Sequence, residues 1–119
     1  MRKFDLQDRL IDFAVKSVRF LEQLPNGVAN THLRKQLIRS SSSPALNYAE
    51  ACDAESRADF LHKIKIVLKE LRETHVGLRI LSKLNLESKT NFHPLISENN
   101  ELIAILKTSY TTAKANGKK

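Results

Sequence analysis

The sequence predicts an all-α protein, an antiparallel up-down-up-down four-helix bundle in which a proline kinks the second helix. Only 3 glycines and 3 prolines interrupt 119 residues, so the chain has few obligatory breaks. Apolar residues recur at spacings of three and four along four segments, which is the period of an amphipathic helix. The connections between these segments are short, which favours antiparallel neighbours, and no strand-like alternation competes with this interpretation.

The first predicted helix spans about residues 5 to 24. One of its faces carries apolar residues at helical spacing, namely Leu10, Ala14, Val18 and Leu21. Further apolar neighbours widen this face, which indicates contact with more than one helix. Residues 25–27, with the sequence PNG, are expected to form the turn that ends the helix, and Asn30 is expected to cap the next one.

The second segment, about residues 30 to 54, contains the stretch SSSSPALNYAE. One alternative is a loop over residues 40–44 between two helices that would be marginal by themselves. The other is a single helix that Pro44 kinks by removing the hydrogen bond to the carbonyl of Ser40. The helical phase favours the single helix, because one side stays in register across the serines at about 100° per residue. That side consists of Leu33, Leu37, Pro44, Tyr48 and Ala51.

A strip of small and polar residues runs beside that side, and its members are Gln36, Ser40, Ser43, Asn47 and Glu50. One hypothesis is a buried polar network that fixes the register of packing within or between subunits. The alternative is that the serines face solvent near the kink. A buried and paired Glu50 would make its replacement by alanine destabilising, whereas a neutral effect would favour the solvated strip.

The third predicted helix spans about residues 56 to 84, with Ser56 as its cap and Asp59 three residues on. Its expected core face consists of Phe60, Ile64, Val67, Leu71 and Leu78. The fourth helix is expected over about residues 94 to 115, and the tail at about 114–119 is expected to fray. Residues 1–119 should therefore form a single four-helix-bundle domain.

The segment SPALNYAE, from Ser43 to Glu50, resembles the S-[IP]-x-x-N-x-x-E segment of the 23S rRNA intervening-sequence proteins, also called S23. The stretch RADFLHKIKIVLKELRETHVGLRIL is similar to the third helix of the same family. The resemblance covers essentially the whole chain, and its specific part lies between about residues 36 and 81. This chain departs from many members at Ala51, where they have glycine, and at residues 66–67, where they have Gly-Ser. These departures predict a less close helix contact there.

The resemblance implies a four-helix bundle that assembles into a homopentameric ring. It also implies that relatives acting as accessory proteins of diversity-generating retroelements bind nucleic acid. The residues assigned to packing and assembly are Ser43, Pro44, Asn47, Glu50, Glu70 and Glu73. Of these, Glu70 and Glu73 are expected to be salt-bridge or interface partners, with Arg39 or Arg72 as the candidate cations.

The charge of the chain favours a polyanionic partner, since 20 basic residues against 13 acidic ones leave a net charge of +7. Five cations share a face of the third helix opposite its core face, and they are Lys65, Lys69, Arg72, Arg79 and Lys83. This stripe extends about 27 Å at about 1.5 Å per residue and could follow an RNA or DNA backbone. The alternative is a solvated face with an ion pair between Lys69 and Glu73. No aromatic residue interrupts the stripe, so binding should be weakly sequence-specific.

An enzymatic function is not expected, and neither is a metal, a cofactor or a small-molecule substrate. No two histidines have the i,i+3 or i,i+4 spacing of a helical metal site, and His75 is expected to be packed in the core. The chain lacks both the Glu-x-x-His motifs of a di-iron bundle and a glycine-rich phosphate loop. Cys52 has no adjacent base in the sequence and is expected to act as a small buried hydrophobe.

A cytoplasmic location is expected, because one cysteine allows no disulfide within the chain and no apolar run approaches about 20 residues. Two functions remain open. The first is a basic, oligomeric protein that binds nucleic acid non-specifically. The second is a structural or protein-interaction bundle whose charge serves only solubility.

Overall fold

A computed structural model describes residues 3–86 and 90–117, with side chains described from residue 5 onward. Four helices and no strand occupy these residues, so the predicted all-α bundle is confirmed. The molecule is elongated, with principal extents of 53 × 20 × 20 Å. The helices are α1 (Lys3–Glu22), α2 (Val28–Cys52), α3 (Arg57–Leu84) and α4 (His93–Asn116).

The helices contact one another in chain order around the bundle. Helix α2 packs against α1 and α3, α4 packs against α3, and a smaller contact between α4 and α1 closes the circuit. Within the described ranges no Cα atom of α1 lies within 8 Å of one of α3, and the same holds for α2 and α4. The outer faces of α1 and α3 therefore lie on opposite sides of the molecule.

The core is a column of leucine, isoleucine and phenylalanine side chains contributed by all four helices. The residues without any exposed surface include Leu10, Leu21, Ile64, Val67, Leu71, Leu81, Leu102 and Leu106. Three residues that the sequence placed on core faces, Ala14, Val18 and Phe60, are only half-buried and lie at the margin of the column. Burial of this apolar surface is the main stabilising term for the bundle.

Helix α2 is continuous through Pro44, so the loop over residues 40–44 does not exist. Serine hydroxyls bond to the backbone one turn earlier, as when Ser42 donates to the carbonyl oxygen of Ile38 at 2.6 Å. The Ser40 side chain is fully buried and accepts a hydrogen bond from Thr74 of α3 at 2.9 Å. Close packing against α3 therefore keeps the serine-rich segment helical. The kink at Pro44 stays a prediction.

The predicted cap at Asn30 is wrong, because α2 begins two residues earlier and Gly27 occupies the capping position. The Asn30 amide instead donates to the carbonyl oxygen of Pro25 and to the side chain of Asn85, both at 3.0 Å. The Asn85 amide donates back to Asn30 at 3.1 Å. This amide pair joins the α1–α2 turn to the end of α3, a long-range contact that local capping rules do not anticipate.

The predicted cap of α3 is confirmed, since the Ser56 hydroxyl accepts a hydrogen bond from the backbone amide of Asp59 at 3.1 Å. Arg57, the first residue of α3, joins this helix to the end of α4 by donating a hydrogen bond to the carbonyl oxygen of Ala113 at 2.8 Å. Helix α4 ends at Asn116, and the fraying predicted for residues 114–119 stays a prediction. Residues 118–119 lie outside the described part. No described helix is long and apolar enough to cross a membrane.

Candidate nucleic-acid interface

The five cations predicted for the third helix all lie exposed on the outer face of α3. The Ser56 cap starts the helix and the core residues Ile64, Leu71 and Leu78 fix its rotation about its axis. Because side chains repeat at about 3.6 residues per turn, the cations then share the side away from the core. We call this set, Lys65, Lys69, Arg72, Arg79 and Lys83, the basic face.

No member of the basic face pairs with a carboxylate in the described part of the chain. The expected pair between Lys69 and Glu73 does not form. Glu73 instead binds Arg39 of α2, which also holds Glu70 at 3.1 Å. The two carboxylates raise the pKa of Arg39, Glu70 with the larger effect. Glu70 and Glu73 are thus directed toward α2.

The structure divides the basic face into two parts with different surroundings. Lys65, Lys69 and Arg72 occupy the half nearer the start of α3. Arg79 and Lys83, in the other half, are interleaved with exposed apolar side chains. These are Val76, Ile80 and Leu84, which are 53%, 43% and 56% exposed, respectively. The half with Lys65, Lys69 and Arg72 contains no large apolar side chain of α3 that is comparably exposed.

Helix α4 places an aromatic ring beside the first half of the basic face. The ring of Tyr110 lies 5.7 Å from the Lys65 Nζ and 5.9 Å from the Lys114 Nζ, measured to the ring centroid. Both distances are within the range of cation–π attraction. Sequence reasoning found no aromatic residue on the α3 stripe and missed this one. The sequence does place Lys107, Tyr110 and Lys114 at helical spacing on one side of α4. Only the packing of the bundle shows that this side of α4 lies beside the basic face of α3.

The carboxylates of α4 lie on its other side, toward α1. Glu98 accepts two hydrogen bonds from Arg9, at 2.7 and 2.8 Å, and Glu101 lies 3.3 Å from the same guanidinium. Hydrogen bonding from Arg9 lowers the pKa of Glu98, against an opposing effect of burial. The surface between α3 and α4 therefore keeps cations from both helices without a neighbouring acid among the described residues that line it.

The predicted packing motif on α2 is only partly buried. Pro44 is buried, whereas Asn47 is half-buried and donates to the Ser43 hydroxyl of its own helix at 2.9 Å. The Glu50 side chain is 58% exposed and binds Lys63 at 3.1 Å. A neutral Glu50→Ala substitution is therefore expected, as for other exposed ion pairs. The role of this motif in assembly stays a prediction.

The buried polar contact between α2 and α3 involves other residues. The Thr74 hydroxyl donates a hydrogen bond to the Ser40 hydroxyl at 2.9 Å, and both side chains are buried. Glu70 lies beside them and is 9% exposed. Ser40 belongs to the predicted polar strip, and Glu70 was assigned to packing or assembly. Thr74 was not singled out, because a threonine on a helix carries no signal of the partner it will meet.

The remaining candidate groups form no catalytic arrangement among the described residues. No group of three or more histidine, cysteine or acidic side chains there could hold a metal ion. His75 is half-buried, and its Nδ1 atom is buried without a hydrogen-bond partner in the described chain. Cys52 is half-buried beside Tyr48, whose phenol pKa is raised mainly by burial and further by the neighbouring thiol.

Residues 2–108 match the family described as 23S rRNA-intervening sequence protein. The fold is similar to the crystal structure of a protein of unknown function from the S23 ribosomal protein family of Bacteroides thetaiotaomicron. The two chains share 30% sequence identity with a TM-score of 0.82, over 93% of this chain and 99% of the other. No curated protein matches this chain.

Proposed function

This chain belongs to the 23S rRNA-intervening sequence protein family, and we propose that it is a non-enzymatic, cytoplasmic homo-oligomer that binds nucleic acid non-specifically. The observation that carries the proposal is the basic face, whose five exposed cations have no carboxylate partner in the described chain. The salt bridges among the described residues involve three other cations, Arg9, Arg39 and Lys63. The basic face differs from the rest of the surface in that five exposed cations follow one another along a single helix. RNA or DNA would supply the missing anions.

The proposal has a direct physical basis in counterion release. A row of cations about 27 Å long spans several phosphates of a nucleic-acid backbone, and each neutralised phosphate releases condensed counterions. Contacts of this kind position the backbone and carry no sequence information. Binding should therefore be strong at low salt, weaken steeply as salt rises and depend little on base sequence.

We test the proposal by neutralising three cations together, in the variant K65Q/K69Q/R72Q. Its slope of log affinity against log salt concentration should decrease by roughly two to three units, since each lost phosphate contact removes about 0.7 to 0.9. The measurement is fluorescence anisotropy with labelled RNA and DNA at several salt concentrations. Because all three side chains are exposed, the fold should tolerate the change.

The matched control is K16Q/R19Q/K35Q, which removes the same charge from exposed positions on α1 and α2. It should leave the salt dependence closer to that of the unmodified protein. Equal losses in the two variants would mean that net charge alone, and not the basic face, attracts nucleic acid. No binding by the unmodified protein at low salt would contradict the proposal altogether.

A specific observation supports the homo-oligomeric part of this proposal. On α1, exposed Ile11 and Val15 flank Asp12, and Asp8 lies one turn before Ile11. The exposed apolar residues of α3 instead lie between cations. The two surfaces differ in charge and lie on opposite sides of the bundle. A cyclic assembly joins two different surfaces of each chain, and these two are complementary. We propose that they meet in a homopentamer.

A further inference from the structure

The groove between α3 and α4 provides more than backbone contacts. We propose that it binds one nucleotide of a single-stranded nucleic acid, with the phosphate on the cations and the base against the Tyr110 ring. The inference rests on the proposed nucleic-acid binding and adds the kind of nucleic acid that is preferred. Duplex RNA or DNA would use only the cations of the basic face.

The groove combines charged, hydroxyl and apolar groups from two helices in about 360 Å³. Its lining residues are Lys65, Leu68, Arg72, Lys107, Tyr110 and Thr111. This volume lies within the approximate range of small-molecule sites, about 300 to 1,000 Å³. Leu68 is 6% exposed and forms an apolar base to the groove. A nucleotide carries the matching features, an anionic phosphate and a flat apolar base.

Three cations would hold the phosphate. Lys65 and Arg72 come from α3 and Lys107 comes from α4, so the charges converge from both sides of the groove. None of the three pairs with a described carboxylate. Glu70 of α3 binds Arg39 of α2, and Glu98 of α4 binds Arg9 of α1. Both carboxylates therefore point away from the groove between α3 and α4. An anion entering the groove therefore meets no competing carboxylate among its lining residues.

Tyr110 would hold the base. Its ring is half-buried and lies close to the ammonium groups of Lys65 and Lys114. An aromatic ring flanked by cations is the combination that proteins use to bind single strands, since bases stack on the ring and the backbone follows the charges. An entering base takes the place of an ammonium group at the ring, and that ammonium then pairs with a phosphate. In a duplex the base faces are already stacked, so this contact is unavailable.

The test compares a labelled single strand of about 20 nucleotides with the duplex of the same sequence. Fluorescence anisotropy gives both affinities for the unmodified protein and for Tyr110→Leu and Tyr110→Phe. Leucine removes the ring and should weaken single-strand binding by roughly 5- to 150-fold, the range for loss of one stacked base. Duplex affinity should change little. Phenylalanine retains the ring and should retain most single-strand affinity.

A second pair of variants does not depend on the tyrosine. Thr111→Glu places a carboxylate in the groove, whereas Thr112→Glu places one on the side of α4 that faces the α1 surface. Both threonines are exposed, and the two variants have the same net charge. Thr111→Glu should weaken single-strand binding more than Thr112→Glu does.

The outcomes separate this inference from the proposed function. If nucleic acid still binds but Tyr110→Leu weakens single strand and duplex equally or not at all, the groove proposal is overturned and the basic face stands. Equal effects of Thr111→Glu and Thr112→Glu would overturn it as well. If the unmodified protein binds neither form at low salt, the proposed function fails and this inference fails with it.

Discussion

Gly77 of α3 lies at close range against Leu37 of α2. A Cβ atom at this position would overlap the Leu37 Cδ2 atom and lie 3.0 Å from the Leu37 Cγ atom. Leu37 is 2% exposed, so its side chain has little room to move aside. The absence of a side chain at Gly77 therefore allows the serine-rich part of α2 to pack against α3.

Gly77→Ala should lower the free energy of unfolding by up to about 2 kcal/mol net, because overpacking a core usually costs about 1 to 3 kcal/mol. This cost opposes the gain of up to about 1 kcal/mol that alanine brings to a helix interior. Urea denaturation followed by circular dichroism measures the difference.

Gly117→Ala is the control for that substitution. Its added Cβ would crowd only the exposed Arg57 side chain, which can move, and would lie at an ordinary contact distance of 3.4 Å from the Lys114 carbonyl oxygen. It should therefore leave stability nearly unchanged. An increase in stability for Gly77→Ala would show that helix propensity outweighs the contact with Leu37 and would contradict the packing argument.

At the scale of the helices, carboxylate pairing determines where positive charge remains available. Arg39 of α2 binds Glu70 and Glu73 of α3. Arg9 of α1 binds Glu98 and Glu101 of α4. Both arginines present a planar fork that binds two carboxylates at once. Each ion pair therefore joins neighbouring helices and also leaves the surface between α3 and α4 cationic.

The pair between Arg9 and Glu98 should make part of the stability depend on pH. The pKa of Glu98 in the folded protein lies below its usual value of 4.5. Its contribution is therefore present above the unfolded pKa and is lost as pH falls through the folded pKa. Glu98→Gln should cost about 1 kcal/mol or less at neutral pH, since the pair is partly exposed, and should reduce the stability difference between pH 7 and about pH 3.

Denaturation by urea at both pH values measures this difference. Glu101→Gln serves as the control, because its carboxylate is 64% exposed and lies 3.3 Å from the Arg9 guanidinium, farther than Glu98 at 2.7 Å. That variant should keep most of the pH dependence. If Glu98→Gln keeps it as well, other carboxylates are responsible for the acid sensitivity.

At the scale of the whole molecule, the outer faces of α1 and α3 determine how copies of the chain can meet. The two helices lie diagonally across the bundle, with no Cα atoms within 8 Å of each other among the described residues, and both carry exposed apolar side chains. The apolar residues lie among acids on α1 and among cations on α3. In the proposed pentamer α3 contacts the neighbouring copy through the half of the basic face that holds Val76, Ile80 and Leu84. Nucleic acid would then meet the half that holds Lys65, Lys69 and Arg72, and the groove beside α4.

Light scattering should give a mass of about five 13.5 kDa chains at micromolar concentration. Ile80→Asp places a negative charge on the apolar half of the basic face, where it would face the acids of α1 in the neighbouring copy. It should therefore shift the mass toward that of one chain. Val28→Asp is the control, since Val28 is 92% exposed at the start of α2. A mass equal to one chain for the unmodified protein would contradict the pentamer.

Much of the fold follows from the sequence because helix formation is governed by local patterns. The spacing of leucine and isoleucine predicted four helices, and their observed bounds differ from the predicted ones by two residues or fewer. The cap at Ser56 was predictable for the same reason, since its partner Asp59 is three residues away. The phase of α2 also excluded a loop at Pro44, because it depends only on residues within that helix.

The sequence by itself therefore determined the fold class, the helices and the exposed row of cations on α3. Tertiary structure decided which charges remain unpaired, that Tyr110 joins Lys65, and that Asn30 binds Asn85 instead of capping α2. The physical reason is that these contacts connect residues on different helices. They depend on the order and rotation of the helices in the bundle, which packing of the whole core sets, and no local spacing rule contains that information.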